Sequence, residues 1–441
     1  MIKRFIRRVL GLADEQMARV PRGEHGLGRE AISPTAAKVC TVLRDAGFQA
    51  YVVGGAVRDL LLGTVPKDFD IATDARPEQV KPLFRRALII GRRFRLVHVM
   101  MGAETVEVST FRAADPDTAE KDEHGRVLRD NVFGSQAEDA RRRDFSVNAL
   151  YFDPASEEVV DFHGGLADLK KRVLRVIGEP ETRYREDPVR MLRAVRLAAK
   201  LGLTLDPATR EPIRRLAPLM ERVPPARLFD EMLKLLLSGH ASACLRQLRE
   251  VGLHKGLLPL LDVILEQPLG ERFVTLALAQ TDERVLAERP VSPAFLFAAL
   301  LWHEVLAAWK AREARGERAI PALENAMDEV LDTQCAKLAI TRKLTATMRE
   351  IWSMQPRFEL RSGARPYRLV ESPRFRMAYD FLALRAASGE VPAELEAWWR
   401  AFHAADAESR KAMLLPETGP RKRRRRRRRK KQPVAPATAP A

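Results

Sequence analysis

Val52–Val–Gly–Gly–Ala–Val–Arg–Asp59, then Leu60–Leu–Leu–Gly63, then Lys67–Asp–Phe–Asp70–Ile–Ala72 is the stretch on which the reading of this chain turns. A β-type run enters a double glycine and a short amphipathic helix leaves it. Glycine has no Cβ, so the backbone at Gly54 and Gly55 can approach a phosphate. The first N–H groups of a helix also offer free donors to an anion. Arg58 is placed to add a charge-assisted bond, with Asp59 orienting it. Taken alone, the glycine pair reads first as a plain strand–helix turn. Alternate residues of a strand share a face, so a strand over 68–72 presents Asp68 and Asp70 together while Phe69 and Ile71 face a core. Two neighbouring carboxylates repel unless a cation lies between them, and a divalent metal pair so held is a recurring device for phosphoryl chemistry. Two exposed aspartates in a turn are the alternative, and the preceding glycine turn favours the metal.

Four further segments extend the pattern. In Val106–Glu–Val–Ser–Thr–Phe–Arg112, Glu107 faces away from its valine neighbours; it is either a third carboxylate beside Asp68 and Asp70 or a solvated salt-bridge partner. In Arg141–Arg–Arg–Asp–Phe–Ser–Val–Asn148, Asp144 is placed to complete a metal or ribose contact, Asn148 to meet a sugar hydroxyl, and Arg142 or Arg143 to hold phosphate. A cationic helix end that satisfies the macrodipole also fits that run. In Tyr184–Arg–Glu–Asp–Pro–Val–Arg190, Asp187 and Arg190 stand at i, i+3 and Glu186 and Arg190 at i, i+4. Such pairs meet on a helix and either present a fixed edge to a base or form a surface salt bridge. Gly91–Arg–Arg–Phe–Arg–Leu–Val–His98 brings Arg92, Arg93 and Arg95 to a strand entrance, which suits a triphosphate or RNA backbone. His98 has no metal-type partner nearby in sequence and reads as a packed or surface histidine.

Around these segments the pattern is mixed up to about residue 178 and helical beyond it. Ala37–Asp45 predicts a helix; Phe48–Val53, Leu96–Met101, Thr105–Phe111, Val159–Phe162 and Val173–Ile177 predict strands. Residues 112–134 predict a long loop, and Ser135–Gln–Ala–Glu138 has capping-box spacing. Asp187–Pro188 predicts a helix start, with Gly202 as its end. Strand signals disappear after residue 180, and helical periodicity recurs through Leu228–Leu237, Leu245–Val251, Val274–Leu278, Pro293–Lys310, Leu323–Leu338 and Phe375–Leu384. The apolar run Phe295–Trp309 is too short for a membrane span and carries His303 and Glu304, so it predicts a buried helix.

The chain has 441 residues and a net charge of +17, but eleven consecutive basic residues, Arg421–Lys431, carry most of it. Without them 65 basic groups face 59 acidic ones. A near-neutral body therefore bears a cationic tail, suited to sequence-independent, salt-sensitive binding of phosphate backbones. An apolar content of 46% excludes wholesale disorder. Cys40, Cys244 and Cys335 are far apart and in no metal spacing, which excludes a disulfide scaffold and fits a reducing cytoplasm.

In order and spacing, Gly-Gly-x-x-Arg-Asp, Asp-x-Asp, Val-Glu-Val-x-Thr-Phe-Arg, Arg-Arg-Asp-Phe-x-x-Asn and Glu-Asp-x-x-Arg resemble the class II tRNA nucleotidyltransferase/poly(A) polymerase family. Pro225–Ala–Arg–Leu–Phe229, Pro293–Ala–Phe–Leu–Phe–Ala–Ala299, Ala378–Tyr–Asp–Phe–Leu–Ala–Leu–Arg385 and the basic tail resemble its bacterial poly(A) polymerase branch. The resemblance covers roughly 30–415. It implies an α+β fold: a polymerase β-like nucleotidyltransferase head with a small mixed sheet, a helical neck and body, and a disordered basic tail. The expected division is a flexible lead-in 1–30, a catalytic head 31–178, a neck 179–240 for base recognition and RNA, a body 241–415 with further RNA contacts, and a tail 416–441. The implied activity is template-independent addition of AMP from ATP to RNA 3′ ends with release of pyrophosphate, in RNA decay, with Mg2+ or Mn2+ as cofactor. A CCA-adding tRNA nucleotidyltransferase is the alternative within the family, and a non-catalytic RNA-binding protein is the alternative outside it. By resemblance Asp68 and Asp70 become the metal-binding catalytic carboxylates, Asp144 the third acid with Glu107 in reserve. Gly54, Gly55, Arg58, Arg143 and Asn148 become nucleotide contacts, and Glu186, Asp187 and Arg190 base readers. Arg92, Arg93, Arg95, Arg421, Arg423, Arg425 and Arg427 become RNA contacts, and RNA-decay or RNA-chaperone proteins become partners.

Overall fold

A computed structural model describes residues 17–91, 95–113, 120–121, 127–129, 132–254 and 268–416. The chain forms two compact units, Met1–Met348 and Arg349–Ala441. Strands alternate with short helices in the first part of unit one. Its strands are β1 (Ala18–Val20), β2 (Ala50–Val53), β3 (Asp70–Thr73), β4 (Ala87–Ile90), β5 (Leu96–Met101), β6 (Glu104–Thr110), β7 (Leu150–Asp153) and β8 (Glu158–Asp161). They form one eight-stranded sheet in the order β1-β8-β7-β2-β3-β6-β5-β4. The β3–β6 pair is parallel, with Asp70 opposite Glu107; its other ladders are antiparallel.

Alternation sorts the side chains of this sheet into two layers. Val52, Ile71, Val97, Val99, Val106 and Val108 are buried on one face, and helix α1 (Pro34–Asp45) packs against β2, β3 and β6. Each such aliphatic side chain contributes on the order of 1.5–3 kcal/mol when fully buried. Tyr51, Val53, Ala72, Tyr151 and Val160 point to the other face, where they join Phe111 and Ala140. Ser135 begins the helix that carries Ala140: its Oγ accepts from Glu138 N at 3.3 Å and Glu138 Oε2 accepts from Ser135 N at 2.7 Å, the expected capping box.

Three sequence expectations are corrected here. Residues 18–31 are not a loose lead-in. β1 pairs with β8, Arg22 bonds Glu157 at 3.0 Å, and the Arg29 N–H donates to the same carboxylate at 2.8 Å. The strand is only three residues long, too short to show an alternation. Strand structure also continues past residue 180: Thr204–Leu205 pairs with Val173–Leu174 in parallel. The expected 112–134 loop is likewise not wholly irregular, since Glu120–Lys121 pairs antiparallel with Val127–Arg129 and Arg112 bridges to Phe133; residues 1–16, 114–119, 122–126, 130–131 and the basic tail lie outside the described residues.

Helices dominate the rest of unit one. Helix α2 (Gly55–Leu61) follows β2, α3 (Gln136–Arg142) follows the capping box, and α4 (Pro180–Glu186) leads into α5 (Val189–Leu201). Met191, Leu192, Ala194, Val195 and Ala198 form the buried stripe of α5, and Gly202 at φ +62° ends it. Helix α6 (Pro225–Leu236) lies beside it. Helix α7 (Pro293–Ala314) is, among the described residues, the one long and apolar enough to cross a membrane. Leu296, Phe297, Leu300, Leu301 and Trp302 are nonetheless fully buried in the protein, as expected of a core helix. The second unit is helical in its described part and packs around Phe358, Phe375, Trp399 and Phe402, with the Trp399 indole donating to Phe358 O at 2.8 Å.

Candidate active site

The turn between β2 and α2 is set by Gly54, at φ +75° and ψ −127°, a conformation available in practice to glycine alone. A Cβ here would also meet Arg143 Nη1 at 3.1 Å. The turn opens onto a cavity of about 400 Å³. Gly54, Gly55, Arg58, Asp70, Arg143, Asp144 and Asn148 line one side, and Asp187, Arg190, Arg193, Arg196 and Lys200 line the other.

The arginines of the head side are held by their neighbours. Arg58 is buried; its Nε and Nη2 donate to Asp59 Oδ1 at 2.8 and 2.6 Å, and its Nη1 donates to Asn148 Oδ1 at 2.5 Å. Asn148 Nδ2 donates to Asp144 Oδ1 at 3.0 Å, and Asp144 Oδ2 lies 2.6 Å from Arg193 Nη2 on α5. One chain of contacts thus runs from α2 to α5. Beneath it, Arg143 Nη2 donates to Asp139 Oδ2 at 3.1 Å and Nε to the Tyr151 hydroxyl at 3.2 Å, while Tyr151 donates to Asp139 Oδ2 at 2.7 Å. Burial works against the Arg143 charge, but Tyr151 and Asp139 outweigh it and hold its pKa above the usual arginine range.

Asp70 is the first residue of β3, and Asp68 precedes the strand. Phe69 is therefore half-buried rather than in the core, since the alternation begins only at Asp70. Register places Glu107 directly beside Asp70 and His98 beside Glu107. His98 Nε2 lies 3.2 Å from Glu107 Oε1, so His98 does have a carboxylate partner, supplied by strand pairing rather than by sequence proximity. Asp70 keeps a solvent-exposed flank, yet its carboxyl is pushed up to about 6. Lost hydration is the main cause; Glu107 and Asp68 add repulsion and Arg143 opposes it. A cation relieves this kind of crowding.

No group of three or more His, Cys, Asp or Glu side chains among the described residues has the geometry of a metal cage.

Asp144 and Asn148 are tied to protein partners: Asp144 Oδ1 accepts from both Phe145 N and Asn148, and Oδ2 forms an ion pair with Arg193. Glu186 pairs with Arg190 at 3.1 Å, as its i, i+4 spacing predicts. The expected Asp187–Arg190 pair is replaced: Asp187 lies between α4 and α5 at φ −148°, outside helical geometry, and its Oδ2 accepts from Arg227 of α6 at 2.6 Å. Its Oδ1 meets Val189 N at 3.3 Å, and the first helical residue follows Pro188. Arg95 pairs with Glu78 at 2.5 Å, while Arg92, Arg93, Arg421, Arg423, Arg425 and Arg427 lie outside the described residues. Arg193, Arg196, Lys200 and Arg227 were not singled out by the sequence; the first three recur every three or four residues from Arg190, a visible helical stripe.

A glycine turn, Asp70 at the head of a strand of the mixed sheet with Asp68 just before it, and a cationic helix across the cavity are the framework of a nucleotidyltransferase. Family models match the chain in three segments: "Poly A polymerase head domain" over 50–175, "Probable RNA and SrmB- binding site of polymerase A" over 202–265 and "Polymerase A arginine-rich C-terminus" over 315–432. Poly(A) polymerase I of Salmonella typhi is 46% identical over 94% of this chain and 93% of its own length. A CCA-adding enzyme of Streptococcus pneumoniae is 42% identical, but over only 44% of this chain and 48% of its own. Among solved structures, the Bacillus stearothermophilus CCA-adding enzyme in complex with CTP superposes with a TM-score of 0.57 at 28% identity, covering 87% of this chain and 82% of that one. The chain belongs to the poly(A) polymerase I family and is an enzyme of polyadenylation.

Proposed function

We propose that the cavity transfers AMP from ATP to the 3′-hydroxyl of RNA without a template. The observation that carries this reading is the meeting, in one cavity, of a glycine turn with two held arginines, the Asp70 carboxylate, and Asp187 with Arg190. The backbone at Gly54 and Gly55, with Arg58 and Arg143, takes the triphosphate and offsets the charge of the leaving pyrophosphate. Asp68 and Asp70 would hold Mg2+ or Mn2+, with Glu107 as the adjoining carboxylate. When bound, the metal acidifies the 3′-hydroxyl and neutralises the departing phosphates. The 3′-oxygen forms its bond to the α-phosphorus as the α–β phosphoanhydride bond breaks, and the hydroxyl proton passes to solvent. Asp187, fixed by Arg227, and Arg190, fixed by Glu186, present an acceptor and a donor to the base. Asp144 and Asn148, bonded to Arg193 and Arg58, hold the two sides of the cavity in register, with Asp144 as the third acid and Glu107 in reserve. The 202–265 match supports RNA-handling proteins as further partners.

The test is extension of a generic RNA with each NTP in turn. Long tracts from ATP alone are expected. Use of CTP with arrest after three additions would assign the CCA reaction instead.

A further inference from the structure

We propose that the far end of the cavity, formed by Arg196 and Lys200 on the last turns of α5, is a second anion subsite. It takes a phosphodiester of the RNA strand being extended, not the phosphates of the nucleotide. The inference rests on the reading above and deepens it. Seven cationic residues line the cavity, Arg58, Arg142, Arg143, Arg190, Arg193, Arg196 and Lys200, against three carboxylates, Asp70, Asp144 and Asp187. Two of those three are already committed, Asp144 to Arg193 and Asp187 to Arg227. Carboxylates behind the lining hold three more of the arginines, Asp59 for Arg58, Asp139 for Arg143 and Glu186 for Arg190, so the positive charge left over lies toward the end of α5.

It is greatest where α5 ends. Arg196 has Glu231 as its acidic neighbour, but at 3.8 Å, the limit of an ion pair, and its buried Nε has no hydrogen-bond partner among the described residues. The buried Nε of Arg193, one turn before it, is likewise without one. Lys200 is exposed on the rim, and no ion pair holds it among the described residues. Burial lowers the pKa of Arg196, an unfavourable effect that a bound anion offsets. At about 1.5 Å per residue, Lys200 stands ~15 Å along the helix from Arg190. The head-side arginines and the base-reading pair already account for the nucleotide. A phosphate bound by Arg196 and Lys200 therefore belongs to a second molecule in the same cavity, and in this reaction that molecule is the RNA.

The experiment uses the full chain, with affinities measured separately for a short oligoadenylate (no metal or nucleotide present) and for ATP (no RNA present). Lys200→Gln is expected to weaken RNA binding roughly threefold to tenfold and to make its salt dependence shallower by about one unit of slope. Lys200→Arg should restore both, and ATP affinity should not move. A loss of ATP affinity with RNA binding intact would overturn the proposal and assign the charge to the triphosphate. A change in thermal stability alone would also overturn it, leaving Lys200 as a helix-end charge. Because no turnover is needed, failure here is separate from failure of the poly(A) reading, which the NTP panel reports on its own.

Discussion

The two sides of the cavity are built differently. On the head side the polar groups beneath the glycine turn are locked: Asp59 and Asn148 grip Arg58, and Asp139 and Tyr151 grip Arg143. On the α5 side the hold loosens along the helix. Arg190 and Arg193 have partners near 3 Å, Arg196 has one at 3.8 Å, and Lys200 has none among the described residues. A locked donor keeps its position while charge develops on a transferring phosphate, which is where pre-organisation lowers a barrier. A loosely held cation suits a strand that must advance after every addition. On the proposed reading, chemistry and translocation share one cavity through charges that differ in rigidity.

The largest effect should come from the locked side. Asp70→Ala should fold, melt no lower than the parent chain, and lose on the order of 10³-fold or more in AMP incorporation, measured on a labelled RNA. Tailing at the parental rate would detach the carboxylates from the chemistry. Gly54→Ala should come next. Forcing a side chain into that conformation costs about 1–3 kcal/mol, and its Cβ would press on Arg143. Both the melting temperature and the ATP affinity should fall. Gly55→Ala is the control, since its Cβ would meet Arg58 at an ordinary 3.5 Å.

The smallest effect concerns pH. The Asp70 carboxyl titrates near 6 in the folded chain, against an ordinary value of 3.8. The folded state therefore holds a proton that the unfolded state releases between those values. The resulting stabilisation is full below about pH 4 and is lost as pH rises through 6. In a chelator, the difference in melting temperature between the parent chain and Asp70→Asn should shift in favour of the variant across that window. Added Mg2+ should reverse the trend above pH 6. A difference that stays flat from pH 4 to 7 would show that burial and the neighbouring carboxylates do not raise the Asp70 carboxyl.

Much of the head side was legible because its signals are local. A double glycine needs only its own φ and ψ, and Ser135 with Glu138 closes a cap within one turn. Glu107 was readable as the odd residue of a buried strand, but its place beside Asp70 depends on a parallel pairing across 37 residues. The same limit hid the Asp144–Arg193 and Asp187–Arg227 pairs. Spacing predicted helical partners for Asp187, while the bend between α4 and α5 turned it toward α6. Side chains that join distant elements leave no periodic trace.

The three-residue strand β1 bears on how this protein can be cut. The motifs begin near residue 50, and a truncation at residue 31 looks harmless by that measure. It would strip the cover from β8, leaving Val159 and Val160 on a bare sheet margin with unpaired backbone groups. Such margins recruit strands from other chains. A fragment begun at residue 31 is thus prone to clump before its chemistry can be assayed, and one begun before Ala18 keeps its border closed.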